Sequence, residues 1–174
     1  GSPLNSGHWE SQPSFSSDGR TMYFTKGIKG EYDRQDDIYM CTLDDHGKWS
    51  VPVKLGPNIN TPGTEESVFI HPDNQTLYFS SDGRIGMGGM DIFVSRKQPN
   101  GEWGDPVNLG YPINTYGDEN SLLVSADGKT GYFASDRAGG KGELDIYSFD
   151  IPKESRPVLV TYFKGKNIQF TFSS

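Results

Sequence analysis

The sequence predicts an all-β chain of β-propeller blades: three four-stranded antiparallel repeats, part of a larger ring, expected to be six-bladed, followed by a C-terminal β-hairpin. Three observations carry this. One motif is written three times, beginning at Glu10, Glu65 and Glu119, so the period is 55 and then 54 residues. Each copy holds short apolar and aromatic runs separated by turn residues, which is the pattern of one blade. No stretch has the 3.6-residue apolar period of an amphipathic helix, which excludes a helical solenoid, and a β-helix would need a shorter repeat.

The elements are clearest in the second copy. Residues 67–71 read as a first strand, and Pro72, Asp73, Asn74 and Gln75 as a turn. Residues 76–80 follow as a second strand, rich in aromatic and β-favouring side chains. Asp73-Asn74 aligns with Asp18-Gly19 and Asp127-Gly128. Gly and Asn both tolerate positive φ, so one tight hairpin turn is expected in all three copies. A Gly-rich loop then runs to Asp91-Ile92-Phe93, with Asp37-Ile38-Tyr39 and Asp145-Ile146-Tyr147 as its counterparts, and these open the third strand. A turn at Gly47 or Gly101 leads through Trp49 or Trp103 to Pro52-Val53 or Pro106-Val107. This is a fourth strand at an edge, because proline cannot donate to a ladder. Ile59-Asn60-Thr61 and Ile113-Asn114-Thr115 close the unit.

The copies are out of phase with whole blades. Leu4-Asn5-Ser6 aligns with Ile59-Asn60-Thr61, so the chain opens on the tail of a preceding repeat. The third copy runs out at Phe149, Asp150, Ile151 and Pro152 with no fourth strand. The expected division is residues 1–152 as blades and 153–174 as a linker and hairpin, the start of a further β-sandwich. Propellers have about four to eight blades, so three do not close a ring. An arc that left roughly 500 Å² of apolar face in water would forfeit about 12 kcal/mol. That rivals the whole net stability of a domain, about 5–15 kcal/mol. A larger ring, or self-association that completes one, is the expectation.

Bulk properties narrow the function. The chain has 174 residues with 22 Gly and 11 Pro, as a turn-rich β domain does. The formal net charge of −7 argues against a phosphate-binding face, so nucleic acid is not an expected partner. A single cysteine, Cys41, excludes an internal disulfide. There is no apolar run of transmembrane length. Gly1-Ser2 reads as a trimmed start without a signal-peptide pattern, so this N-terminus does not set the compartment.

The Ser-x-Asp-Gly-x-x-x-Tyr-Phe element followed by Asp-Ile-Tyr resembles the WD40-like PD40 repeat of TolB-type propellers. More narrowly, residues 56–63, 78–83, 86–93 and 131–137 resemble the propeller of OmpA-family cell-envelope proteins, a group that includes a component of type IX secretion. The resemblance covers about residues 4–151. It implies a periplasmic, outer-membrane-associated scaffold whose partners are envelope or secretion-system proteins. Peptidoglycan binding would come only through a domain that this chain lacks. Residues 156–166 resemble the start of the sandwich domain of that family.

Candidate site residues have a structural and a functional reading. Asp37, Asp91 and Asp145 either accept loop amides at the start of strand three or ligate a metal. One carboxylate per blade does not make a six-to-eight-oxygen site, so the structural reading is favoured and no metal is expected. Glu10, Glu65 and Glu119 either bond between blades or point at the ring axis. Asp33, Asp36 and Asp37 cluster without EF-hand spacing, and His8, His46 and His71 fall at unrelated repeat positions. Gly follows Asp18 directly, whereas the sialidase-type Asp box has Gly two residues on. There is no Gly-x-Ser-x-Gly elbow. Cys41 matches Ser95 and reads as a packed or partly exposed small residue and not a nucleophile, and Trp49 and Trp103 read as blade packing. The expected working surface is the rim of loops between strands two and three, with Arg84, Met87, Met90 and Arg137, since Met and Arg are enriched at interfaces. The expectation is a non-enzymatic protein-binding scaffold without cofactor. The alternative is a glycan-binding or glycan-cleaving propeller using the repeated glutamates.

Overall fold

The computed structural model describes residues 3–27 and 36–158, and the expected C-terminal hairpin therefore lies outside the described residues. The first sheet is β1 (Trp9–Phe15), β2 (Thr21–Gly27), β3 (Asp37–Thr42) and β4 (Val53–Lys54), in that order. The second is β5 (Glu65–Ile70), β6 (Thr76–Ser81), β7 (Asp91–Arg96) and β8 (Val107–Asn108). The third has three strands, β9 (Glu119–Val124), β10 (Thr130–Ser135) and β11 (Asp145–Asp150). All pairings are antiparallel between sequence neighbours, so each repeat is one meander. The fourth strands are only two residues long and start just after Pro52 and Pro106, consistent with their place at the sheet edge.

The shared turn is present in all three blades. Gly19, Asn74 and Gly128 have φ of 69°, 58° and 69°. The aspartate before each one accepts the amide two residues ahead: Arg20 N–H to Asp18 at 2.9 Å, Gln75 N–H to Asp73 at 2.8 Å, Lys129 N–H to Asp127 at 3.1 Å. This Asx geometry is why Asp precedes the positive-φ residue.

One part of the expected first strand needs correction. β5 begins at Glu65 and not at Ser67, because Glu65 pairs with Ser81 across the ladder. A bulge then shifts the register between Glu66 and Phe69. The same irregularity recurs in β1 and at the β9–β10 pairing, and it puts Gln12, Ser67 and Ser121 at φ of 51°, 55° and 57°. A bulge turns one amide out of its own ladder. In β5 that amide, Ser67 N–H, donates to Gln12 Oε1 of the preceding blade at 2.6 Å.

The core lies between the sheets. Tyr23, Ile38, Leu55 and Ile59 of the first repeat pack against Val68, Ile70, Leu77, Phe79, Phe93 and Trp103 of the second. Tyr78, Ile92, Val94, Leu109 and Ile113 of the second pack against Leu122, Val124 and Phe133 of the third. The middle blade is covered on both faces, which is why every residue of β6, Thr76–Ser81, is buried and its sequence shows no polar alternation. Among the described residues the third blade is covered on one face only. Ile92 is 0% exposed, whereas its repeat equivalent Ile146 is 83% exposed, with Leu123 and Tyr132 beside it on the same open face. Cys41 is buried with Met22 and Phe24 on the first blade.

Residues 153–158 are not a free linker. A 3-10 turn, Lys153–Ser155, folds back on the second blade. Tyr78 donates its hydroxyl hydrogen to the Ser155 carbonyl at 2.7 Å, and Val158 N–H donates to Asp73 Oδ2 at 2.8 Å. Burial alone would raise the Asp73 carboxyl. His71 beside it, with donors from Thr76, Gln75 and Val158, outweighs burial and holds it at about 2.

Two outcomes follow. Leu77→Ala, at a fully buried position, should cost about 2–5 kcal/mol by urea denaturation, while Ile146→Ala on the open face should stay within about 0.5 kcal/mol. The depressed Asp73 carboxyl stabilises the fold fully above the ordinary carboxylate pKa and loses that contribution as pH falls toward 2. The stability gap between the parent and Asp73→Asn should therefore shrink by roughly 2 kcal/mol between pH 5 and pH 2, read from denaturation at each pH.

Candidate interaction surface

The loops between strands two and three meet the tail that enters each new blade, and the repeated polar residues decide how. Asn60 closes the first blade: its side chain accepts Ile38 N–H at 2.8 Å and donates to the carbonyls of Ile38 and Leu55, both at 2.9 Å. Asn114 does the same at Ile92 of the second blade. Thr61 then donates to Glu65 through its amide and hydroxyl at 2.8 and 2.6 Å, and Ser81 adds its hydroxyl at 2.7 Å. Thr115, Glu119 and Ser135 repeat this at 2.8, 2.7 and 2.8 Å. Glu65 and Glu119 are both 0% exposed, so their carboxylates hold the chain between blades and face no open axial pocket. Glu10 takes the same part at the surface, accepting from Ser6, the counterpart of Thr61, with Lys26 Nζ at 3.6 Å.

The two arginines of the expected rim lock this joint. Arg84 donates to the carbonyls of Asn58 and Ile59 at 2.7 and 3.0 Å, and its guanidinium lies over Phe79 and Phe93. Arg137 donates to the Pro112 carbonyl at 2.9 Å and to that of Ile113, pairs with Glu119 at 3.3 Å, and sits 4.8 Å from the rings of both Phe133 and Tyr147. Counted along the repeat, Arg137 stands one position before the counterpart of Arg84, yet it reaches the equivalent carbonyls and rings. A bidentate fork on a long stem tolerates that shift.

Asp91 accepts the amides of Met87 and Gly88, and Asp145 those of Lys141 and Gly142. Burial raises the Asp91 carboxyl in spite of its amide donors. Asp37 differs and pairs with Lys54 Nζ at 2.7 Å. Among the described residues no cluster of three or more His, Cys, Asp or Glu could hold a metal, and Asp33 lies outside them. Trp103 packs edge-on to Tyr23 of the preceding blade at 6.0 Å, and Trp49 lies 6.1 Å from Phe15 within its own blade.

What remains exposed on the rim differs from the expected set. Met90 is 8% exposed and buried under the loop, its N–H donated to Asp118 and its carbonyl accepting from Glu119, so it offers no contact surface. Met87 is half exposed, and Ile85 stands almost wholly in solvent. Two residues that sequence reasoning missed join Met87: Tyr111 and Tyr116, 76% and 71% exposed. With Pro112, Thr115 and Arg137 they line a hollow of about 420 Å³. A signal was present, because the counterparts of these tyrosines in the previous tail are Pro57 and Pro62.

Three solved structures share the fold. TolB from Acinetobacter baumannii is 23% identical over 80% of this chain and 29% of that one, with a TM-score of 0.54. A putative TolB from Agrobacterium tumefaciens is 20% identical over 84% of this chain and 47% of its own, also at 0.54. The periplasmic gluconolactonase PpgL from Pseudomonas aeruginosa is 14% identical over 78% and 39%, at 0.50. The chain thus has a TolB-like β-propeller fold and spans less than half the length of these proteins. No family model and no curated protein matches it.

The joint makes a direct prediction. Glu119→Ala strands Thr115, Ser135 and Arg137 without their common acceptor. It should cost about 3–5 kcal/mol by chemical denaturation, the range for breaking a buried charged pair.

Proposed function

We propose that this chain is a non-enzymatic, protein-binding propeller segment of a bacterial cell-envelope protein. The observation that carries the reading is the rim patch of Met87, Tyr111 and Tyr116 around Arg137. Tyr, Met and Arg are the residue types enriched where proteins meet, and exposed aromatic anchors supply most of the binding energy at interfaces. The patch rests on a backbone locked by the Glu119 and Arg137 joint, so it is preorganised and loses little entropy on binding.

The burial of Glu65 and Glu119 supports the same reading over glycan chemistry, which needs two carboxylates facing an open cleft roughly 5–10 Å apart. The likeness to TolB structures and the sequence resemblance to OmpA-family envelope proteins support a periplasmic setting near the outer membrane. Among the described residues no helix is long and apolar enough to cross a membrane. Within this reading the finer role is holding partners in an outer-membrane assembly such as type IX secretion. The open face at Ile146 belongs against a further blade of a six-bladed ring, from another part of a longer chain or from a second copy.

The double variant Tyr111→Ser/Tyr116→Ser tests the rim. Captured from envelope extract, a specific partner should bind the variant at least tenfold more weakly, with the melting temperature unchanged. Partner binding that ignores both tyrosines would refute the assignment of this surface.

A further inference from the structure

Among the described residues the blades meet along two equivalent grooves, and the chain fully covers only one. Between the second and third blades the floor of the groove is Tyr78, and residues 152–157 lie across it. The Tyr78 hydroxyl donates to the Ser155 carbonyl at 2.7 Å, Arg96 donates to the carbonyls of Glu154 and Arg156, and Ser155 and Pro157 are buried. This segment is a proline-flanked turn, Pro-Lys-Glu-Ser-Arg-Pro.

Between the first and second blades the same floor position is Tyr23. Its counterpart segment, residues 97–103, covers that groove only in part: Trp103 packs on Tyr23, and its carbonyl accepts from Asn58 Nδ2 at 2.8 Å. Gln98 N–H donates to the Glu102 carbonyl at 2.7 Å and Gly101 N–H to that of Gln98 at 2.8 Å, so the segment closes as a tight turn. A bridge from Lys97 to Trp103 keeps that turn on its own sheet. The groove is left as a cleft of about 450 Å³ walled by Met40, Lys54, Leu55, Lys97 and Trp103 with Tyr23 at its base. Tyr23 is 3% exposed, and its hydroxyl has no hydrogen-bond partner among the described residues. That hydroxyl opens onto the cleft, whose volume is within the usual range of ligand sites, and is free to donate to a bound group.

We propose that this cleft binds a proline-flanked peptide turn of a partner protein, whose main-chain carbonyl accepts the Tyr23 hydroxyl hydrogen as Ser155 accepts that of Tyr78. Aromatic walls suit proline, whose ring packs flat and whose backbone is already restricted before binding. Trp103 and Tyr23 provide such walls, and Lys97, whose ammonium lies 6.0 Å from the Trp103 ring, supplies a cation at the carbonyl side as Arg96 does in the other groove. The proposal rests on the protein-binding reading and adds a second, chemically distinct contact to it.

The test uses the full chain and the capped peptide Ile-Pro-Lys-Glu-Ser-Arg-Pro-Val, the sequence of residues 151–158, followed by ¹⁵N chemical-shift mapping. Saturable binding is expected, with shifts at the Trp103 indole and around Lys97. Tyr23→Phe should weaken it about fivefold without lowering the melting temperature, as loss of one hydrogen bond does. Tyr78→Phe should leave peptide affinity unchanged while lowering the melting temperature, and a peptide with both prolines replaced by alanine should bind more weakly. No saturation at several millimolar, equal affinity for Tyr23→Phe, or shifts confined to the Tyr78 groove would each overturn the proposal. A partner that depends on Tyr111 and Tyr116, in a chain that does not bind the peptide, would overturn the cleft and leave the rim reading standing.

Discussion

A four-stranded sheet with two apolar faces cannot stand alone in water, and that constraint organises the whole molecule. Each blade must be stacked against another, and the stacking dictates which residues can be where. The second blade meets it on both sides and reads as continuous hydrophobic sequence at Leu77, Tyr78 and Phe79. The third meets it on one side among the described residues, and its counterparts Gly131, Tyr132 and Phe133 read buried, exposed and buried. Burial is a property of the stack as much as of the repeat, which is why Ile92 and Ile146 both stand between an aspartate and an aromatic residue and yet have opposite environments.

Stacking fixes the distance between blades but not their register, because apolar contact has no direction. Direction comes from the buried polar joint. Thr61 and Ser81 converge on Glu65, and Thr115, Ser135 and Arg137 on Glu119, so each blade can begin at one place only relative to the loop beside it. A buried carboxylate is expensive unless it is well partnered, and here the donors come from the incoming tail, four residues before the glutamate, and from the strand and loop 16 to 18 residues after it. The joint therefore turns a nonspecific collapse of sheets into a defined arc. Gly83 belongs to it as well: a Cβ there would sit 1.8 Å from the Thr61 hydroxyl, so only glycine admits the close approach.

Much of the fold was legible because its signals are local. Asp-Gly and Asp-Asn name the hairpin turns, Asp-Ile-aromatic marks the third strand, and Pro52 and Pro106 mark the edge. The bulges were not legible, because Gln12, Ser67 and Ser121 are not residues that advertise positive φ. Their conformation is imposed by the ladder on one side and by the neighbouring blade on the other. The rim was legible in location and misread in membership. Composition alone could not separate Met87, at the surface, from Met90, three residues on and under the loop. Arginine is common at interfaces, and the same planar cation is equally suited to bridging carbonyls inside a fold, which Arg84 and Arg137 both do here.

The joint also explains how a repeat can vary without losing its shape. Positions that hold the arc together keep their chemistry: Asn60 and Asn114, Thr61 and Thr115, Glu65 and Glu119. Solvent-facing positions beside them differ, so that Pro57 and Pro62 in one tail are matched by Tyr111 and Tyr116 in the next. The substitution places two large aromatic side chains in solvent on a backbone that the buried carboxylate has already immobilised. In water, exposed aromatics on a mobile loop would collapse onto the nearest apolar surface. On a fixed loop they stay presented, and presentation at little entropic cost is what a binding surface requires. The same division operates at the groove between the first two blades, where Tyr23 is held by stacking while its hydroxyl is left to a partner. Structural rigidity and available surface thus arise from one arrangement, in which buried residues such as Ile59 and Asn60 hold each tail and its solvent-facing positions stay available to a partner.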